Sequence, residues 1–309
     1  MTGKCWSFEK GLFGDSWVWP ECGQVALVLD GITIDNLPVK VYQWAQDKLD
    51  ADWLYIGTPW EQVKSKSPWL VYLDHPNNPV LNRFLENQAV REAGYLLVGA
   101  DGQDRSTLAA AMRRLLQVER IDGVPELLRI GHPDIAQRVI GQHLLQGAGG
   151  PDWPFSALIA PDAVEEQWVY HERKSAGLMA QSAEKPALAV DDKLLQSFRQ
   201  FNQRQFVIAH LEAAGEGSWA WLGDGTRSDH VQRLTITFDQ ADQWGFNTPR
   251  SRALFLELLQ RSVTRSWLED SLPPALLAHL NGQGAVMERL DNALQATQPS
   301  VSLPSAAQG

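Results

Sequence analysis

Short continuous apolar runs, each closed by a turn signal, recur through residues 25–140 and constrain the fold more than any other feature of this chain. The first, VALVLDG at residues 25–31, ends in Asp30-Gly31 and reads as a buried strand closed by a turn. Residues 53–56 and 69–73 are short and rich in aromatic and branched side chains, and residues 94–99 (GYLLVG) form a further apolar run, so all three read as strands. Helical periods separate them. Residues 37–49 place Val41, Trp44, Ala45 and Leu49 near one face, with Pro38 tolerated in the first turn. Asn78-Pro79 opens a second helix that runs to about Val90, with Val80, Leu81, Phe84 and Leu85 on one face. Asp101 or Asp104 caps a third over residues 105–116. Asp122-Gly123, between two apolar stretches, is the strongest hairpin signal in the chain. A helix starting at Pro133 and strands at residues 157–159 and 167–170 complete this part. Because the hairpin requires an antiparallel pair, the sheet is expected to be mixed.

The pattern changes after residue 171. Residues 172–186 are polar and weakly periodic and read as a linker. Beyond them the chain is helical. Leu194, Leu195, Phe198, Phe201, Phe206 and Ile208 supply the apolar positions of one long helix over residues 188–212. Further helices are expected at residues 230–244, despite a TITF run, from Thr248-Pro249 to 267, from Pro273-Pro274, and at 285–296. The Ser-, Pro- and Gln-rich end reads as disordered. The expected architecture is an α/β (α+β) N-terminal lobe with a mixed sheet over residues 1–171, a linker over 172–187, an all-α C-terminal lobe over 188–296 and a disordered tail over 297–309.

Hydrophobic residues make up 44% and charged residues 21%, enough apolar material for a folded globular chain. A net charge of -10 argues against nucleic acid or an anionic membrane as the main partner, since both select clustered Lys and Arg. No apolar run reaches signal-peptide or membrane-spanning length, which makes the cytoplasm the default compartment. Cys5 and Cys22 are too few for a disulfide framework, and a reducing cytosol disfavours pairing them. Tryptophan is the compositional outlier, with 13 residues. Most are expected in cores. Trp17 and Trp19 sit in a Gly- and Pro-rich opening, and Trp219 and Trp221 in a glycine-rich break. These four are the candidate protein-binding residues, because a large apolar ring with one N–H donor suits an interface.

Tests for chemistry lead elsewhere than catalysis. The segment VGADGQDRST at residues 98–107 follows a strand and precedes a helix, as a phosphate loop does. It lacks the Gly-Lys-Ser/Thr ending and sets Asp101 and Asp104 where an anion would lie, so it reads as a turn with a helix cap. His132, His143 and His171 are scattered, with no metal-site spacing. There is no Gly-x-Ser-x-Gly, and the acidic pairs Glu165-Glu166 and Asp191-Asp192 are adjacent in sequence, which on a strand points them apart. No catalytic, cofactor or metal residue is nominated.

The order of these elements resembles the domain-of-unknown-function family numbered 4123, linked to effector adaptors (chaperones) of bacterial type VI secretion systems. The resemblance rests on Asp30 near the end of the first apolar strand, on Pro68-Trp69-Leu70-Val71, on the strand and helix of residues 96–116, and on a hairpin leading to Arg129-Ile130-Gly131-His132-Pro133-Asp134. His132 and Asp134 replace the family's usual Asp and Arg in that turn. In the second half, Trp244-Gly245-Phe246 followed by Thr248-Pro249 and an apolar helix is similar to the family's helical lobe. The resemblance implies a non-catalytic adaptor that binds a cognate effector in the cytoplasm and helps load it onto the VgrG spike. The helical lobe is expected to face the effector and the α/β lobe the spike. Two other readings compete: an immunity protein neutralising a toxin, and an enzyme of unknown type using the cleft between the lobes.

Overall fold

Each apolar run becomes a strand because both of its faces find a helix or loop to lie against. The computed structural model describes residues 4–13, 17–21, 23–46, 48–119, 125–146, 153–173, 188, 190–213, 222–262 and 272–297. In chain order the first part contains β1 (Lys4–Ser7), β2 (Val25–Leu29), α1 (Leu37–Ala45), β3 (Ala51–Trp53), a 3-10 segment (Glu61–Lys66) and β4 (Trp69–Leu73). There follow α2 (Pro79–Glu86), α3 (Gln88–Arg91), β5 (Gly94–Gly99), α4 (Arg105–Arg114), β6 (Gln117–Glu119) and β7 (Pro125–Leu127). Then α5 (Pro133–Ala136) runs on as a π-helix (Gln137–Leu145), before β8 (Phe155–Asp162) and β9 (Gln167–Glu172).

Seven strands form one sheet in the order β1-β9-β8-β5-β2-β4-β3. The α/β class of this part holds, but pairing is more uniform than the mixed sheet expected: every ladder in it is antiparallel. The reason lies in the connections. β2 and β3 run the same way, joined through α1, with β4 between them. β4 and β5 likewise run the same way, joined through α2 and α3, with β2 between them. Each helical crossover therefore skips a strand, and an antiparallel neighbour fills the gap. Asp122 and Gly123, read as a hairpin turn, lie outside the described residues, and the strands on either side do not join this sheet. These strands, β6 and β7, pair with each other in a separate two-stranded ladder.

Alternation along β2 shows how the sheet is covered. Val25, Leu27 and Leu29 pack in one core with Leu37 and Val41 of α1, Val80, Leu81 and Phe84 of α2, and Val90 of α3. Ala26 and Val28 pack in the other, with Leu108 and Met112 of α4, Ile135 and Ala136 of α5, and Val139 and Ile140 of the π-helix. Three local readings are adjusted. The strand expected at residues 53–56 is Ala51–Trp53: Leu54 still donates to the Pro68 carbonyl (3.1 Å), but Tyr55 turns its N–H to the Ser67 hydroxyl (3.0 Å). The helix expected from Asn78 to Val90 is broken at Asn87, which is extended (φ -104, ψ 110) and caps α3 through the Val90 N–H. β1 has no counterpart in the sequence reading.

The chain divides into two compact units, Met1–Phe201 and Asn202–Gly309, and α6 (Asp192–Ala213) is one continuous helix across that boundary. Its Leu194 is buried in the first unit, where Phe198 and Phe201 also pack. The second unit holds α7 (Arg227–Gln243), α8 (Pro249–Ser262), α9 (Pro274–Leu280) and α10 (Val286–Ala296), all helical as expected. Trp244-Gly245-Phe246 ends α7 in a Schellman motif: Gly245 has φ 83, Phe246 donates to the Ala241 carbonyl (2.8 Å) and Gly245 to Asp242 (2.9 Å). Arg289 of α10 donates to the carbonyls of Trp244 (2.7 Å) and Leu280 (2.6 Å), which satisfies the C-terminal ends of α7 and α9. The expected linker past Arg173 and the expected tail past Thr297 lie outside the described residues.

Candidate functional site

β2 ends on a buried carboxylate, and three chain segments converge there. Asp30 donates its N–H to the Ala93 carbonyl (2.9 Å), which holds it against the head of β5. Its side chain is almost wholly buried and fully engaged. One oxygen accepts from the Ile32 N–H (2.9 Å); the other accepts from the Thr33 hydroxyl (3.0 Å) and the Arg129 guanidinium (2.6 Å). Arg129 also donates to the Thr33 hydroxyl (2.7 Å). Gly31 lies so close to residues 66–67 that an added Cβ would stand 2.2 Å from the Ser67 carbonyl oxygen, so only glycine fits. Gly131 packs against the Pro68 ring, and the Tyr95 hydroxyl donates to the Ile130 carbonyl (2.9 Å). Burial, reinforced by the Asp30 charge, pushes the Tyr95 and Tyr55 hydroxyls above their ordinary range.

This cluster brings together two residues that carried the family resemblance, Asp30 and Arg129. The substituted turn follows directly. His132 caps α5 by accepting the Asp134 N–H at Nδ1 (3.2 Å), and its ring meets Phe201 edge-on at 5.3 Å. Accepting there requires the neutral imidazole, and burial lowers the His132 pKa in the same sense. Chemically the cluster is a lock, a buried carboxylate paired with a partly exposed guanidinium and with each of its oxygens occupied, and it fixes the loop after β2.

That loop begins an exposed apolar surface. Ile32, Val39, Tyr42, Ile56 and Val63 are each at least 40% exposed. Val39 and Tyr42 lie on α1 off its buried stripe of Leu37, Val41 and Ala45. Tyr42 meets Trp69 edge-on at 5.9 Å, and half-buried Trp53 of β3 lies 4.8 Å from the same ring. An ion pair between Lys66 and Asp35 (3.7 Å) ties the end of the 3-10 segment to the start of α1. Beside α1 an open groove of about 770 Å³ is lined by Gln43, Trp44, Arg83, Glu86, Asn87, Gln88 and Ala89.

The nominated tryptophans fall differently. Trp17, expected outside the core, lies within it at 7% exposure, stacked on Phe13 (5.4 Å) and near Trp19 (6.0 Å). Trp19 is half-buried against the same core. The reason is mutual: the three rings shield one another in a Gly- and Pro-rich segment whose described residues join no ladder. Trp219 and Trp221 lie outside the described residues. The sequence reading missed Val39 and Tyr42, although their position off the apolar stripe of α1 was available as a signal.

Two further titratable groups, Asp104 and His171, have a structural partner or sealed surroundings. Of the two cap candidates, Asp104 is the cap of α4; it accepts from the Thr107 N–H (2.7 Å) and the Ser106 hydroxyl (2.9 Å), bonds that hold its carboxyl below the usual range. His171 of β9 is 4% exposed, with no partner for either ring nitrogen among the described residues, and burial lowers its pKa to about 4. The π-helix meets it at Gly141, where a Cβ would stand 2.6 Å from the ring. Among the described residues no three His, Cys, Asp or Glu side chains gather as a metal site, and no helix is long and apolar enough to cross a membrane.

Residues 27–146 match the model of a family described as a domain of unknown function, DUF4123. The match supports a place in that family and covers less than half of the chain. It runs from β2 to the π-helix and includes Asp30, Arg129 and the whole exposed apolar surface. No curated protein and no solved structure matches the chain.

Proposed function

We propose that this chain is a non-catalytic adaptor that binds a cognate effector of a type VI secretion system in the cytoplasm and helps load it onto the VgrG spike. The observation that carries the reading is the coincidence of the family match with the exposed apolar surface around α1 and β3. Exposed apolar side chains that lie together mark a place where another protein sits, and Val39 and Tyr42 lie one turn apart on α1. The polar and charged residues among them, such as Asp35 and Lys66, suit a contact that must later be released. The Asp30–Arg129 pair serves this reading indirectly, by holding the loop that presents Ile32.

The test is co-purification. The full chain, tagged and expressed with the spike protein and the candidate effector of the same secretion cluster, is expected to elute with both as a stable complex. Elution with neither removes the reading. Deleting the gene separates the adaptor from an immunity protein: loss of an adaptor stops secretion, whereas loss of an immunity protein poisons the cell.

A further inference from the structure

β3 is one edge of the seven-stranded sheet, and its outer side is unpaired among the described residues. Its register sets Ala51 opposite Val71, Asp52 opposite Leu70 and Trp53 opposite Trp69. The flanking bonds, from Tyr72 N–H to the Asp50 carbonyl (2.9 Å) and from Leu54 N–H to the Pro68 carbonyl (3.1 Å), fix which residues point inward. Antiparallel ladders alternate, so Asp50, Asp52 and Leu54 bond to β4 while Ala51 and Trp53 aim their N–H and C=O groups away from the sheet. The Trp53 carbonyl receives only long contacts, from Arg113 and the Ile56 N–H (both 3.4 Å). Ala51 N–H, Ala51 C=O and Trp53 N–H have no partner among the described residues.

Side chains beside this edge differ by face. Trp53 lies on the α1 side, next to the ring of Trp69 that Tyr42 also contacts. Asp52 lies on the other side, bonded to the Tyr72 hydroxyl (2.6 Å) and Arg113 (3.1 Å), with Asp50 paired to Arg105. We infer that the β3 edge receives an extended segment of the partner protein as an added antiparallel or parallel strand. That segment carries apolar side chains on the face toward Trp53 and Tyr42 and polar ones on the face toward Asp50 and Asp52. Main-chain bonds from Ala51 and Trp53 supply the attachment, and alternating side chains supply the selection. A second copy of this chain fits poorly. Pairing β3 with itself in its central antiparallel registers sets Asp52 opposite Asp50 or Asp52, a like-charge cross-strand pair.

The inference rests on the adaptor reading for the identity of the partner, and the experiment separates the two. Short overlapping peptides that tile the spike protein and the effector are arrayed and probed with the full chain, and the intact spike and effector are titrated in parallel. Two variants are compared with the wild type. Ala51→Pro removes an outward N–H that β4 does not use, a substitution edge strands tolerate. Tyr42→Lys alters an exposed ring on the apolar face. Ile236→Lys, exposed on α7, is the control. The expected result is binding concentrated in peptides of alternating apolar and polar residues. Both variants should weaken those peptides, and the protein they derive from, by about tenfold or more at unchanged melting temperature. Equal binding by Ala51→Pro overturns the inference and leaves the adaptor reading intact. So does a concentration-dependent dimer of the wild type that Ala51→Pro abolishes, which assigns the edge to a second copy. Binding of neither intact protein removes the adaptor reading and this inference together.

Discussion

His171 is buried in the first unit with neither ring nitrogen bonded among the described residues, which ties the stability of the fold to its protonation. Burial lowers its pKa to about 4, whereas an unfolded chain holds a histidine near its ordinary value. Between those values the unfolded state binds a proton that the native state does not, so stability is full above the unfolded pKa and falls as pH drops toward 4. Urea denaturation should show about 2 kcal/mol less stability from this group at pH 5 than at pH 8. His171→Leu should flatten that difference; an unchanged pH slope in the variant refutes the assignment. The Asp30–Arg129 pair makes a second prediction. Removing Arg129 leaves a buried carboxylate with only the Ile32 N–H and the Thr33 hydroxyl. Arg129→Ala should cost about 2–3 kcal/mol, below the range for a fully buried pair because Arg129 is partly exposed. Replacing both partners with apolar residues should cost less than removing Arg129 alone, as measured by the same denaturation.

At the scale of elements, local signals decide where segments stop. Gly245 ends α7 with a left-handed backbone that no side chain adopts freely. Gly245→Ala should destabilise the second unit by about 1 kcal/mol, since an added Cβ meets only ordinary contacts and the cost is conformational. A thermal melt of the full chain checks this, and no change would show that the Schellman turn is dispensable. Such signals made much of the fold legible. The runs at residues 25–29, 69–73 and 94–99 became strands, and the TITF segment stayed helical because Val231, Leu234, Phe238 and Ala241 are buried at the three- and four-residue spacing of one helix face. β1 escaped because four residues, half of them exposed, carry no apolar alternation; only the β9 ladder makes them a strand. The direction of pairing escaped because it depends on which strand each crossover skips. Asp30 and Arg129 were each noticed through the resemblance, yet their contact spans 99 positions, and no local pattern encodes it.

For the whole molecule, the boundaries of the family match and of the folding unit differ. The match stops at residue 146, before β8. β8 lies between β5 and β9, and its Leu158, Ala160 and Phe155 complete the core that Leu108, Met112 and Ile140 enter from α4 and the π-helix. Its Ala157 and Ile159 complete the other core, with Trp168 of β9. That first core also takes Leu188 and Leu194, which come from beyond β9 at the start of α6. A fragment of residues 27–146 would therefore turn β5 from an interior strand into an open apolar edge and strip both cores of part of their lining. It should lack a cooperative melt in far-UV circular dichroism and self-associate, while the full chain melts cooperatively. A monomeric fragment with a sharp transition would show that the matched segment is a folding unit by itself. The prediction goes the other way because the matched segment supplies only the β5-β2-β4-β3 side of the sheet, while β8, β9 and β1, which continue it beyond β5, come from outside the match.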